Sequence, residues 1–182
     1  VVLTGINGSG KSTLIKIIAG ILEINKGQIF VDRIDLSQLS PTWYREQLIY
    51  SPQEPKFIDG SLAENIFGSN RINGQEMNKI LENSDLLTFV NGHEQGINMK
   101  LENRGNELAL GIRKRISIAR SLVNNGRVVL YDEPTEGLDQ TGKASILKLV
   151  NKFKKDKKTI IIASNDNEII EISNILIDMN SK

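Results

Sequence analysis

Cysteine is absent from the 182 residues, which excludes disulfides and thiolate chemistry. An excess of one charge is missing too. With 23 basic and 22 acidic side chains the net charge is +1, so no global field draws the chain to nucleic acid or to an acidic membrane. No apolar run approaches the roughly 20 residues needed to span a bilayer, so any membrane role has to come through a partner or through sequence outside this chain. The single histidine, His93, sits in Asn91-Gly92-His93-Glu94 and reads as a surface residue on a turn. Internal repeats and low-complexity stretches are lacking as well. The length suffices for one good core, or a core with a smaller lobe.

The chain does carry Gly5-Ile6-Asn7-Gly8-Ser9-Gly10-Lys11-Ser12-Thr13, which fits G-x-x-x-x-G-K-[ST] between an apolar strand, Val1–Thr4, and a helix. Glycines let successive backbone N–H groups turn inward around a triphosphate at a helix N-terminus. Lys11 is placed to reach the β- and γ-phosphates, and the Ser12 hydroxyl to complete a Mg²⁺ shell. Binding of a nucleoside triphosphate is the expectation. A phosphate loop at residue 5 also leads us to expect no signal peptide and further sequence upstream of Val1.

Strand and helix patterns alternate, which predicts an α/β fold around a mainly parallel sheet. Strands are expected at Val1–Thr4, Gln28–Val31, Leu48–Ser51, Arg127–Tyr131, Thr159–Ala163 and Ile175–Asp178. A helix is expected over Lys11–Leu22 with Leu14, Ile17, Ile18 and Ile21 on one side, and another over Thr141–Phe153 with Ile146, Val150 and Phe153 inward. Ser40-Pro41 marks a helix start, and Ser61 with Glu64 forms a capping box. Asn73-Gly74 and Ser84-Asp85 are expected to open short helices, and Gly111–Val123 to form a longer one. The basic run Lys152–Lys158 complements a helix C-terminus and is assigned no function.

The second half of a nucleotide site follows. The strand at Arg127 runs into Asp132-Glu133-Pro134-Thr135. That places one carboxylate to hold Mg²⁺ through water and a second to polarise an attacking water. Gln53, in Ser51-Pro52-Gln53-Glu54-Pro55, comes just after a strand, where a neutral amide can touch both metal and water.

Together these motifs resemble the ATP-binding-cassette family, over essentially all 182 residues. Gly5–Thr13 is similar to its Walker A loop, Val128–Glu133 to its Walker B strand, Gln53 to its Q-loop and Glu136–Asp139 to its D-loop. Ser51–Ile66 and Lys100–Gly105 resemble the exporter branch. The resemblance implies a P-loop NTPase core at 1–56 and 123–182, mainly parallel sheet flanked by helices, with an inserted helical subdomain at 57–122. It implies ATP and Mg²⁺ as ligands, with Asn7, Gly8, Ser9, Gly10, Lys11, Ser12 and Thr13 on the nucleotide. Ser12, Gln53 and Asp132 would serve the metal, and Glu133, Gln53 and Asn165 the chemistry. It further implies a second nucleotide-binding domain packed head to tail, whose signature loop faces each ATP. A transmembrane domain outside this chain would hold the pair at the cytoplasmic face of the membrane, and no nucleic acid is expected.

Three departures qualify the resemblance. The signature loop falls on Leu108-Ala109-Leu110-Gly111-Ile112, anchored by Gly105 before it and Arg113–Arg120 after it. Ala109 has no hydroxyl for a γ-phosphate, and a hydrogen bond to a charged group is worth roughly 1.5–3 kcal/mol. Leu110 puts a branched side chain where the family keeps glycine, while Gly111 and the helix's positive end remain. Asn165 stands where the family has a switch histidine; it can donate to a γ-phosphate oxygen but cannot become a cation. Reduced hydrolysis is therefore expected, relative to an Asn165→His, Ala109→Ser, Leu110→Gly revertant. In a homodimer both composite sites carry both defects; in a heterodimer they are divided between two sites. Finally, the chain starts after the family's adenine-stacking aromatic and its upstream strands, so weaker ATP binding and an exposed sheet edge are expected. The alternatives are an ATP-binding switch with little or no hydrolysis and a non-transport cassette protein.

Overall fold

Strand residues alternate between the two faces of a sheet, and that alternation sets the layers here. The structure is a computed structural model that describes residues 1–180. In chain order it contains β1 (Val2–Thr4), α1 (Lys11–Ile18), β2 (Phe30–Val31), β3 (Ile34–Asp35), α2 (Pro41–Glu46), β4 (Leu48–Ser51), β5 (Gly60–Ser61), α3 (Leu62–Phe67), α4 (Gly74–Asn83), α5 (Leu87–Asn91), β6 (Lys100–Leu101), α6 (Leu110–Leu122), β7 (Val128–Asp132), α7 (Gln140–Lys155), β8 (Thr159–Ala163), α8 (Asn167–Glu171) and β9 (Leu176–Asp178).

Five strands form one all-parallel sheet in the order β4-β7-β8-β1-β9. Val2, Val129, Tyr131 and Ile162 face α7, where Ile146, Val150 and Phe153 complete a core. Leu3, Leu130 and Ala163 face the other way, onto Ile15 of α1 and Tyr44 of α2. Each such buried aliphatic side chain contributes about 1.5–3 kcal/mol by leaving water. The fold is therefore the α/β class that the alternation predicts, a P-loop NTPase arrangement of a parallel sheet with helices on both faces.

A separate core lies off the sheet. It gathers Phe57, Leu62, Ile66, Leu81, Leu86 and Leu101 against Ile116 and Ala119 of α6. Ile118, on another side of α6, packs in the sheet-side core. This helix is thus a wall common to both cores. Antiparallel β5 and β6 close the off-sheet core through Gly60↔Leu101 and Ser61↔Lys100. Caps fall where side-chain oxygens were expected. Ser61 Oγ accepts from Glu64 N at 3.1 Å while Glu64 Oε2 accepts from Ser61 N at 2.7 Å. Ser40 and Asn73 cap α2 and α4.

Two local expectations are corrected. Helix α1 stops at Ile18, not Leu22, because Gly20 turns at φ 66°. Leu14 and Ile18 pack against the core as expected, but its fully buried residue is Ile15, and Ile21 is 54% exposed. The phosphate loop dictates the rotation of α1, so the buried positions are Lys11 and Ile15, four apart. An almost continuous apolar run, Leu14–Ile18, hid that phase. Ser84-Asp85 does not open a helix. Ser84 Oγ donates to Ile80 O at 2.9 Å, closing α4, and Asp85 takes φ 57° before α5. Serine and aspartate bond to backbone at either helix end, so the pair alone does not say which. Among the described residues, no helix is long and apolar enough to cross a membrane.

Candidate functional site

The C-terminal ends of four neighbouring strands deliver the site in sheet order. Gln53 follows β4, Asp132-Glu133 ends β7, Asn165 follows β8, and the phosphate loop follows β1. Open parallel sheets bind ligands at this edge because their loops converge there. A pocket of about 330 Å³ opens on Asn7–Thr13, Gln53 and Glu133. A larger hollow of about 720 Å³ borders Ile21, Leu22 and Tyr44, but the converging charged groups lie in the smaller one.

Gly8 and Gly10 sit at φ 84° and 96°, a region that favours glycine, and a Cβ on Gly8 would meet no other atom. The demand there is conformational, and the space beside the loop stays open for phosphate. Lys11 turns back onto the loop in this form. Its ammonium donates to Gly5 O at 2.5 Å and to Ile6 O at 3.2 Å, and the residue is 7% exposed.

Ser12, Gln53 and Asp132 meet behind the loop. Ser12 Oγ lies 3.0 Å from Asp132 Oδ1 and 3.5 Å from Gln53 Oε1. Asp132 is 1% exposed, and its buried second oxygen, Oδ2, has no hydrogen-bond partner. An unsatisfied buried carboxylate oxygen beside a hydroxyl and an amide oxygen is a hard-oxygen set that suits Mg²⁺. Among the described residues no cluster of three His, Cys, Asp or Glu offers another metal site. Burial raises the Asp132 carboxyl above the ordinary carboxylate range, against the opposing pull of Ser12, Lys114 and Lys16.

That shift has a sign that can be tested. A carboxyl raised in the fold adds stability that is full below its unfolded pKa, and the contribution is lost as pH rises through the folded value. At neutral pH the metal-free chain therefore carries a buried, incompletely bonded charge. Asp132→Asn is expected to raise the melting temperature of the metal-free chain at pH 7, by about 2–4 °C for each kcal/mol recovered. The difference should shrink toward pH 4 and on adding Mg²⁺ to the parent chain. Melting curves in EDTA across that range check it; a variant less stable at pH 7 would mean the Ser12 bond outweighs the burial.

Glu133 begins the turn after β7 at φ 45°, an uncommon conformation for a side chain-bearing residue. Its N–H donates to Ala163 O at 2.8 Å, and its carbonyl accepts from Lys114 Nζ at 3.0 Å. Burial raises its carboxyl; Lys11 pulls it down, and the charges of Asp132 and Glu136 push it further up. A raised carboxyl is what a general base acting near neutral pH requires.

Asn165 bonds to the phosphate loop. Its Oδ1 accepts from Gly5 N at 3.1 Å and its Nδ2 donates to Gly5 O at 2.9 Å. The amide thus mimics one more residue of strand pairing beyond the β1–β8 ladder, with both of its polar atoms engaged on the phosphate loop. Asn180 Oδ1 accepts from the next N–H, that of Ile6, at 2.8 Å. Ala109 and Gly111 are not brought to the phosphate loop within this chain. Ala109 caps α6 without a side-chain bond. Leu110 lies on Gly137 (φ 74°), where a Cβ would come 2.5 Å from Leu110 Cδ2. A Cβ on Gly111 would stand 3.1 Å from Gly137 O. The head of α6 and the Glu136–Asp139 loop therefore form one packed surface.

Sequence reasoning passed over Lys114, which is fully buried and bonded to the backbone of both Gln53 and Glu133. The signal was a lysine inside the Ile112–Ala119 stretch of a half-buried helix, masked by the arginines on either side. It also passed over Asn180, whose contact depends on a partner 174 residues away.

Comparison with known proteins agrees with this geometry. The family model described as "ABC transporter" matches residues 1–136. ABC transporter B family member 1 of Dictyostelium discoideum is 31% identical over 176 residues, 96% of this chain and 19% of that protein. Multidrug resistance protein pgp-1 of Caenorhabditis elegans is 32% identical over 164 residues, 90% of the chain and 12% of that protein. A Rickettsia typhi relative, whose name joins export ATP-binding with permease, is 32% identical over 96% of the chain and 31% of its own length. The chain thus spans less than a third of these relatives. The solved structure of a bacterial Atm1-family ABC exporter with ATP bound shares the fold at TM-score 0.88 and 24% identity, over 98% of this chain and 32% of that one. With its phosphate loop, its Asp-Glu strand end and a family match over three quarters of its length, the chain belongs to the ABC transporter family, as an ATP-binding domain of the exporter type.

Proposed function

We propose that this chain binds and hydrolyses ATP as the motor domain of an ABC exporter, pairing head to tail with a second such domain to drive transport. The observation that carries the reading is the convergence of Lys11, Ser12, Gln53, Asp132 and Glu133 on one pocket edge from three separate strand ends. Asn7, Gly8, Ser9, Gly10 and Thr13 cradle the phosphates, and Lys11 leaves Gly5 O and Ile6 O to reach them. Mg²⁺, held by Ser12 and Asp132 with Gln53, would neutralise charge on the β- and γ-phosphates. Glu133 takes the proton of the attacking water. Ala109 and Gly111 act on the nucleotide of the opposed domain, which fits their distance from the pocket of their own chain. The division into a 1–56 and 123–182 core with a 57–122 helical subdomain is supported by the separate core around Leu62, Leu86 and Ile116. The permease in a relative's name supports a transmembrane partner, and with it a place at the cytoplasmic membrane face.

Asn165 stabilises the loop, on this reading, and does not sense the γ-phosphate. One net hydrogen bond is worth about 0.5–1.5 kcal/mol, or roughly two- to tenfold in affinity. Asn165→Ala is expected to weaken ATP binding by that factor. Asn165→His should do the same, because an imidazole presents its donor and acceptor on diverging sides and cannot grip one residue's N–H and C=O together. Nucleotide titration of the three chains distinguishes this from a γ-phosphate contact, which would weaken ATP but leave ADP unchanged. The function as a whole is tested by Mg-ATP titration and phosphate release; a chain that binds no nucleotide would overturn it.

A further inference from the structure

Helix α6 lies along the segment that follows β4 and bonds to it at four levels. Ser117 Oγ meets Ser51 Oγ at 2.9 Å, Lys114 Nζ donates to Gln53 O at 2.5 Å, and Arg113 donates to Pro55 O at 3.5 Å. Arg120 donates to Lys56 O at 2.8 Å and to Asn65 O at 2.6 Å. The ties from Ser117, Arg113 and Arg120 end on that segment or on Asn65. Lys114 reaches further: its ammonium also donates to Glu133 O at 3.0 Å and stands 4.0 Å from Glu136 Oε2.

Lys114 is 0% exposed, the only lysine so deeply enclosed among the described residues. Burying an ammonium is costly unless it is bonded on all sides. A neutral side chain would satisfy the same space without that cost. What the cation adds is three directed donors on one atom, enough to hold two carbonyls and face a carboxylate. The two carbonyls belong to Gln53 and to Glu133, whose left-handed conformation needs support from its surroundings. The helix that carries Lys114 also carries Leu110 and Gly111, packed on Gly137.

We infer that Lys114 is a positioning residue that ties Gln53 and Glu133 to α6, so that both arms of the nucleotide site move with the head of that helix. The inference rests on the nucleotide-site reading and goes beyond it, by naming the link between this chain's own pocket and the surface formed by Leu110 and Gly137. A shift of α6 displaces the Glu133 carbonyl directly, and the side chain of Glu133 turns with it. Ser117, Arg113 and Arg120 hold the 51–56 segment in place when Lys114 is removed. Arg115, on Asp139 at 2.8 Å, and Ser121, 3.1 Å from the Tyr131 hydroxyl, tie α6 on either side of Glu133, so Lys114→Met cuts the direct link to Glu133 itself.

Lys114→Met keeps the length and apolar stem and removes the donors; Lys114→Gln restores N–H donors without charge. Hydrogen exchange with and without Mg-ATP, beside turnover, tests the link. In the parent chain ATP is expected to slow exchange at 5–13 and also at 108–114. In Lys114→Met the effect at 5–13 should persist and that at 108–114 should vanish, and Lys114→Gln should recover it. Turnover should fall at least about tenfold in Lys114→Met with the ATP dissociation constant changed less than about twofold, a loss of kcat without loss of binding. Equal ATP protection at 108–114 in the parent and Lys114→Met, or a binding loss as large as the rate loss, would overturn the inference. If Lys114→Met does not fold, Lys114→Gln decides: retained protection with a rate within about threefold supports the link, and loss of both together with ATP binding refutes it. A parent chain with ATP protection but no turnover would sink the hydrolysis reading alone, since the exchange pattern still reports on Lys114.

Discussion

Glu133→Gln is expected to lower Mg-ATP turnover by about 10²–10⁴-fold, the usual contribution of a positioned general base, while ATP binding is kept or tightened. The reason lies in what surrounds the carboxylate. It is raised by burial and by the charges of Asp132 and Glu136, so it competes with other anions for the little positive charge nearby. Glutamine has the same shape and no charge. It fits the same turn, since the constraint at φ 45° falls on the backbone, whose N–H and C=O go to Ala163 and Lys114. Removing one negative charge beside a triphosphate lowers the repulsion that bound ATP must overcome. Phosphate release and ATP titration on the same preparation make the measurement. Turnover unchanged in Glu133→Gln would assign the water to another group, and loss of binding would mean the carboxylate holds the site together.

Lys11→Ala is expected to have the opposite profile, with ATP affinity falling about 10- to 100-fold. A hydrogen bond to a charged group is worth about 1.5–3 kcal/mol, and 1.4 kcal/mol is a factor of ten. Turnover at modest ATP concentration should disappear with it. The nucleotide-free chain supplies a second consequence. Lys11 Nζ holds Gly5 O and Ile6 O, and Asn165 Nδ2 shares Gly5 O. Without the ammonium the loop keeps the Asn165 clip and the Asn180 contact, so faster hydrogen exchange should be confined to 6–10 and spare β1. An affinity within twofold of the parent would place the phosphates elsewhere. A general loss of protection would show that Lys11 supports the fold.

The two variants separate binding from chemistry because the two side chains occupy different strand ends. Asp132→Asn bears on the buried charge that a metal would offset, and Lys114→Met on the link between site and helix. The four substitutions are thus expected to give four distinguishable outcomes: a rate loss with affinity kept, a loss led by affinity, stability that depends on Mg²⁺, and protection that no longer travels along α6.

Much of this arrangement is legible in the order of the residues. Gly5–Thr13 and Asp132-Glu133 are short-range patterns in which residue type and spacing state the chemistry, since phosphate needs glycine backbone and metal needs hard oxygen. The parallel sheet is legible from the alternation of apolar strands and amphipathic helices. The rotation of α1 is not, because Leu14, Ile15, Ile17 and Ile18 are all apolar and any of them could face inward; the loop decides in favour of Ile15. Ser84-Asp85 misleads because its bonds serve a helix end as readily as a start.

By itself, the sequence determined the α/β architecture and the motifs that mark the ABC transporter family, because those depend on local spacing and on periodicity. Only the tertiary structure decided what Asn165 and Lys114 touch. An asparagine after β8 could face a ligand or a loop, and it faces Gly5 because β1 and β8 pair in parallel and end side by side. A lysine in a basic helix could be solvated, yet it is enclosed because α6 packs between two cores and closes over the ends of β4 and β7. Both outcomes are set by contacts between residues far apart in the chain, 61 positions for Lys114 and Gln53 and 160 for Asn165 and Gly5, and no local pattern encodes those.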